Sequence, residues 1–144
     1  KDIYYLFYAG HDGERERIGL AIGKSLLALK RASEKPVLDV GCKGGWDEKS
    51  ISYPKIIKYK GKYLMFYSGI SKEGIERLGV AESSDLKHWE KYGKNPILDV
   101  SRGKWDSISA ARADVKIFNG KIYIFYSGRK KYFYSIGMAK LLIK

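Results

Sequence analysis

An all-β fold, an incomplete β-propeller of about two and a half to three blades of four antiparallel strands each, is what three observations in the sequence predict. A unit recurs at a spacing of about sixty residues, short aromatic and branched runs are separated by Gly-containing turns, and no stretch holds a helical period for long. Each unit is then one small sheet that buries its faces against its neighbours.

The repeat is read from four markers that keep the same order. Leu6-Phe7-Tyr8-Ala9-Gly10 returns as Met65-Phe66-Tyr67-Ser68-Gly69 and as Ile124-Phe125-Tyr126-Ser127-Gly128. Downstream of each stands a small-residue partner: Ile18-Gly19-Leu20-Ala21, Leu78-Gly79-Val80-Ala81 and Ile136-Gly137-Met138-Ala139. Between them, Lys35-Pro36-Val37-Leu38-Asp39-Val40 matches Asn95-Pro96-Ile97-Leu98-Asp99-Val100, and Gly45-Trp46-Asp47 matches Lys104-Trp105-Asp106. The units run over about 1–45, 46–104 and 105–144 of a single domain.

Within a unit the strands follow in order. Pro54 to Tyr59 and Lys62 to Tyr67 flank Lys60-Gly61, and Val115 to Phe118 and Lys121 to Tyr126 flank Asn119-Gly120. The second pair is the stronger hairpin signal, since a two-residue turn with positive φ at both positions suits Asn-Gly. A third strand is placed around Leu78 to Ala81, with Gly where a neighbour must come close. A fourth is placed near Trp89 or over Pro96 to Val100, where an edge tolerates Pro. Ser25 to Ala32 is the run most compatible with a helix, and helix is expected to be sparse.

The phase of the ends gives three strands, then four, then three, because Lys1-Asp2 falls where Lys60-Gly61 falls one unit later. Such an array presents two unpaired edges, and self-association into a dimer that closes the ring is the economical way to cover them. A piece of a longer five-bladed protein is the competing reading.

Composition bounds the rest. The chain has 144 residues, 44% apolar content and twelve tyrosines, which suits one packed domain. No apolar segment is long enough for a membrane span and no leader pattern opens the chain, so a soluble protein without a membrane partner, cytoplasmic by default, is expected. Cys42 is alone, which rules out an internal disulfide framework. The net charge of +12 comes from 28 Lys and Arg against 16 Asp and Glu. These lysines are dispersed (Lys55, Lys58, Lys60, Lys62, Lys116, Lys121), so they read as a solvated surface and nucleic acid is the less favoured partner. His11 and His88 are far apart and lack companion ligands, so no metal site and no cofactor are expected.

The series Gly-x-Trp-Asp, x-Pro-x-Ile, Gly-x-Tyr-x-x-x-Tyr-Ser-Gly, Leu-Gly-Val-Ala-x-Ser-x-Asp-Leu-x-x-Trp and Asn-Pro-Ile-Leu resembles the five-bladed β-propeller glycosidases. That superfamily holds arabinanases, β-xylosidases, invertases, levansucrases and β-mannoside phosphorylases. The clearest copy runs from Trp46-Asp47 through Tyr53-Pro54, Tyr63 to Gly69, Leu78 to Trp89 and Asn95 to Leu98. The resemblance implies a carbohydrate-active protein with a glycan ligand, a glycosidase or glycoside phosphorylase, or alternatively a propeller that binds without catalysis. Its motifs are mostly architectural.

In those enzymes acidic groups stand at the inner mouth, often immediately before the Pro that opens the innermost strand. The matching positions here are Tyr53 and Arg112, and neither can act as a carboxylic acid or base. Three aspartates remain as weak catalytic candidates. Asp114 lies two residues beyond Arg112, which puts it on the same side of a regular strand. Asp47 and Asp106 each follow a Trp, but they recur identically, which fits loop-capping scaffold groups better than catalytic ones. Trp46 and Trp105 read by the same logic as wedges between blades. Ser83 to Trp89 reads as a turn in which Asp85 bonds local amides. Positions that break the repeat are the better guide to a ligand: Ser52 against Ala111, Tyr53 against Arg112, and Lys55 against Asp114. Ser52, Tyr53, Arg112 and Asp114 are the expected ligand-binding residues.

Overall fold

A computed structural model describes residues 2–141, and among them the only regular elements are strands. The first sheet holds β1 (Tyr4–His11), β2 (Glu16–Gly23) and β3 (Lys30–Arg31). The second blade holds β4 (Ser50–Tyr59), β5 (Lys62–Ile70), β6 (Glu76–Ser83) and β7 (Glu90–Lys91); the third holds β8 (Ser109–Phe118), β9 (Lys121–Lys130) and β10 (Phe133–Leu141). Neighbours within each blade are antiparallel. Blades two and three also meet at one corner, where β6 and β8 run parallel over Glu76↔Ser109 and Arg77↔Ala110.

The hairpin turns form for the reason their residues suggest. Lys60 and Gly61 have φ of 46° and 83°, and Asn119 and Gly120 have 49° and 68°, a twist that matches the right-handed twist of the strands they join. The run from Ser25 to Ala32 makes a turn closed by Ala28 N–H to Ser25 O and then the two-residue strand β3. It is too short, and too exposed at Leu26 and Leu27, to gain from a helical face.

The fourth strand falls at the first of its two expected places, next to Trp89. Glu90–Lys91 alone pairs with β6, while Pro96–Val100 is irregular and touches β6 at a single Leu78↔Leu98 bridge. The side-chain amide of Asn95 takes the place of a strand there. Its Oδ1 accepts from Val80 N–H at 2.9 Å and its Nδ2 donates to Val80 O at 2.8 Å, so the edge of β6 is satisfied without a ladder.

Two apolar clusters sit in the two seams between blades. Ile18 and Leu38 meet Ile51, Met65, Tyr67 and Ala81 in the first, with Trp46 against them. Phe66, Leu78 and Val80 meet Ala110, Val115, Ile122, Ile124 and Tyr126 in the second. Met65, Phe66 and Tyr67 are consecutive and all fully buried, since β5 has a blade on each face. The same motif on the flanking blades keeps one face open, with Leu6 at 48% and Phe125 at 41% exposure.

Candidate mouth of the propeller

One end of the blades collects every break in the repeat. The starts of β4 and β8, the β5–β6 and β9–β10 connections and the β1–β2 turn all lie there, because each hairpin returns to the end from which its inner strand departs. Pro54 does not open the inner strand as the resemblance implies. The strand begins at Ser50, and Tyr53-Pro54 is a bulge inside it, where a residue without an N–H is tolerated.

An equivalent bulge falls between Ala111 and Asp114. At both, a bulky non-Gly residue adopts the left-handed backbone: Tyr53 at φ 54° and Arg112 at φ 52°. That conformation costs about 1–3 kcal/mol and persists only where the surroundings over-determine it. Here they do. Arg112 N–H donates to the buried Ser68 Oγ at 2.9 Å, and Arg112 Nε donates to Glu76 Oε1 at 3.1 Å. Its guanidinium lies 4.9 Å from the Tyr53 ring centroid.

Glu76 is the residue that sequence reasoning missed. It is 3% exposed, and its Oε2 accepts from Ser109 Oγ at 2.9 Å. Partial burial works against the Arg112 charge, but the hydrogen bond and negative charge of Glu76 overcome it, so the guanidinium titrates above its usual range. Glu76 matches Glu16 one unit earlier, so a search confined to positions that break the repeat passes over it. No sequence signal singled it out, since Arg112 lies 36 residues further along the chain.

The other matched pair also meets. Lys55 Nζ lies 2.6 Å from Asp114 Oδ1, and Lys116 Nζ lies 3.2 Å from Asp114 Oδ2. The hydrogen bonds from Lys55 and Lys116 hold the Asp114 carboxyl down at about 2, so it is ionised at neutral pH and has no proton to give. The regular alternation expected from Arg112 to Asp114 passes through the bulge, and the two side chains take separate partners. Ser52 is not a lining residue: it is 2% exposed, turned inward beside the fully buried Ile51.

Asp47 and Asp106 lie apart from this cluster, each 3% exposed under a Trp–Tyr stack. Asp47 Oδ2 accepts from Tyr67 OH at 3.2 Å and Lys91 Nζ at 2.6 Å; Asp106 Oδ2 accepts from Tyr126 OH and Ser101 Oγ, both at 3.3 Å. Burial first, and the charge of the adjacent Asp next, raise both tyrosine hydroxyls above their ordinary value, Tyr67 the more strongly. Trp46 and Trp105 are spent on this packing. In the Ser83–Trp89 turn, Asp85 Oδ1 accepts from Lys87 and His88 N–H, both at 2.9 Å, and Trp89 meets Phe7 edge-on across the first seam. Among the described residues no group of three or more His, Cys, Asp or Glu could hold a metal ion, and no helix is long and apolar enough to cross a membrane.

A family model described as β-1,4-mannooligosaccharide phosphorylase, glycoside hydrolase family 130, matches residues 1–142. The chain belongs to this family. Its blades also superpose on solved structures of other proteins. A family 117 glycoside hydrolase from Zobellia galactanivorans aligns over 96% of this chain and 48% of its own, with 19% identity and a TM-score of 0.77. A β-1,2-mannobiose phosphorylase from Listeria innocua, solved with β-1,2-mannobiose, aligns over 97% of this chain and 37% of its own, with 17% identity and a TM-score of 0.70. An uncharacterized protein of Mycobacterium tuberculosis is 26% identical over 107 residues, which is 67% of this chain and 35% of that protein. The family 130 chain described here thus spans about a third to a half of the length of these relatives. Its fold is that of a partial propeller.

Proposed function

We propose that this chain supplies the phosphate-binding wall of a glycoside phosphorylase site acting on β-mannosides, with Arg112 as the anion-binding group. The observation that carries this reading is the way Arg112 is presented. A positive-φ bulge projects it, Glu76 fixes its Nε, Tyr53 supports its plane, and its two Nη groups have no hydrogen-bond partner among the described residues. Two parallel N–H donors in a fixed plane match two phosphate oxygens, which a lysine cannot reproduce.

Phosphorolysis also suits a mouth without a carboxylate at positions 53 and 112. Hydrolysis with inversion needs one carboxyl to protonate the leaving oxygen and a second to deprotonate water. Phosphate arrives already anionic, so cleavage by phosphate dispenses with the base. Asp114, ionised at neutral pH and braced by Lys55 and Lys116, fits a role in orienting sugar hydroxyls, while Tyr53, 53% exposed, offers a ring face to the sugar.

The test is incubation of the protein with β-1,4- and β-1,2-mannobiose, with and without inorganic phosphate, and assay of mannose 1-phosphate. Phosphate-dependent release is expected, and Arg112→Lys should raise KM for phosphate about tenfold or more while changing affinity for the mannoside less. Mannose release that ignores phosphate would replace this reading with hydrolysis. Mannoside binding without turnover in either buffer would leave a binding module.

A further inference from the structure

Blades one and two treat the same strand edge differently. In blade two the Asn95 amide holds both polar groups of Val80, and Tyr92 N–H shares the carbonyl at 3.0 Å. Leu20 stands at the matching place in blade one, paired with Phe7 as Val80 is with Phe66. Its carbonyl accepts from Ala32 N–H at 2.8 Å, just as the Val80 carbonyl accepts from Tyr92. Lys35, however, replaces Asn95 in the repeat, and an ammonium has no acceptor to offer an N–H. The Leu20 N–H, on a residue only 2% exposed, finds no acceptor among the described residues. A buried backbone donor without a partner is rare, and an incoming acceptor relieves it.

The edge that carries this donor borders a groove. About 570 Å³ of space lies at the outer end of the first seam, between Leu20, Ile22 and Pro36 of blade one and Lys87, His88 and Trp89 on the turn of blade two. Lys35 joins Lys87 and His88 as its charged lining, and no acid lines it. The acids nearest in sequence are engaged elsewhere. Asp85 lies 2.7 Å from the His88 ring and accepts two backbone N–H bonds, and Glu34 turns to Arg31 at 3.8 Å. We propose that this groove, separate from the mouth, binds the carboxylate of a uronate residue in an acidic glycan, with the Leu20 N–H and the Lys35 and Lys87 ammoniums donating to it.

The state of the β2 edge decides the occupant. A peptide that added a strand there would need a row of open main-chain groups. The chain itself takes the others: Ile18 N–H donates to Leu38 O at 3.2 Å, Ile18 O accepts from Val37 N–H at 2.8 Å, and Leu20 O accepts from Ala32. One donor is left, flanked by cations and set beside an indole, which suits a single compact anion carried on a ring. A carboxylate accepts from an N–H and an ammonium at once, and these charge-assisted bonds are the strong ones. The apolar face of a sugar ring then packs on Trp89, whose Nε1 is already held by Leu86 O at 3.1 Å.

The test is titration of the isotope-labelled chain with sodium glucuronate, glucose and sodium acetate, followed in amide NMR spectra. Glucuronate should move the Leu20 amide proton downfield, the sign of a new hydrogen bond, and shift the Trp89 indole N–H, while the Tyr53 and Arg112 amides stay in place. Glucose should leave Leu20 unmoved, and acetate should bind about tenfold more weakly for want of the ring. Lys35→Ala combined with Lys87→Ala should weaken glucuronate binding about tenfold or more. Both lysines are exposed, so this variant keeps its fold. Arg112→Lys at the mouth should not change glucuronate binding, so failure here and failure of phosphorolysis are separately visible. A Leu20 amide that ignores glucuronate would overturn the proposal, as would equal affinity for acetate or binding unaltered in the double lysine variant. Tighter binding of a hexaglutamate peptide would replace the glycan with an acidic protein partner.

Discussion

Adding one methyl group at the same repeat position should have opposite effects in blades one and two. At Gly69, a Cβ would stand 2.5 Å from Asp47 Cβ and closer still to the Trp46 ring, which is trapped against Gly79 and Tyr67 on its other side. The ring cannot yield without leaving its seat, so the cost lies between ordinary overpacking and loss of the indole's burial, about 3 kcal/mol. In a domain of this size that lowers Tm by about 10 °C. At Gly10 the nearest atom is a Tyr8 ring carbon at 3.4 Å, ordinary contact, and the backbone is not left-handed. Gly10→Ala therefore removes unfolded-chain freedom without a clash and should stabilise by about 0.5 kcal/mol. Thermal melts of Gly69→Ala and Gly10→Ala followed by circular dichroism measure both. If Gly10→Ala proves as damaging as Gly69→Ala, the glycines are kept for their backbone and the Trp-on-Gly account of the repeat fails.

Glu76→Gln keeps the volume and one bond to Ser109 but removes the charge that fixes Arg112, so a loss of about 2 kcal/mol in urea unfolding is expected. In the phosphorolysis assay the same change should raise KM for phosphate more than it lowers kcat. Tyr67→Phe leaves Asp47 to Lys91 alone and should cost about 1–2 kcal/mol, with Tm as the readout. Because the Asp114 carboxyl titrates at about 2 in the folded chain, below the ordinary carboxylate value, its lysine contacts stabilise fully above about pH 4 and are lost as pH falls through about 2. The stability difference between the native chain and Asp114→Asn should shrink over that window; a difference that grows toward acid would contradict the Lys55–Asp114 pairing.

The hairpins were legible because their signals are local. Asn119-Gly120 and Lys60-Gly61 dictate a turn whatever lies around them, and the Phe-Tyr motif before each conserved-phase Gly marks the middle strand of a blade. The fourth strand was legible only in part: β7 lies next to Trp89, one of its two expected places, whereas Pro96–Val100 forms no strand because Asn95 replaces a ladder partner with a side-chain amide, and nothing in a run of Pro, Ile and Leu announces that substitution. Part of the mouth was readable as the set of positions that break the repeat. Tyr53 with Arg112 and Lys55 with Asp114 prove to be contacting pairs, since matched positions on adjacent inner strands face each other across a seam. Ser52 satisfied the same criterion and is buried, because the bulge that begins after it turns the next side chain, not Ser52, toward the mouth.

By itself the sequence determined the module: its strands and turns, the Trp-Asp of the second and third units and the order in which these recur, all set by interactions within about sixty residues of chain. Only the tertiary structure decided what the modules do together. That Glu76 reaches forward to Arg112 and that two inner strands bulge into the left-handed region both follow from how neighbouring sheets are rotated and pressed together. Such contacts join residues whose separation along the chain carries no local signal, so they exist only once the blades have packed.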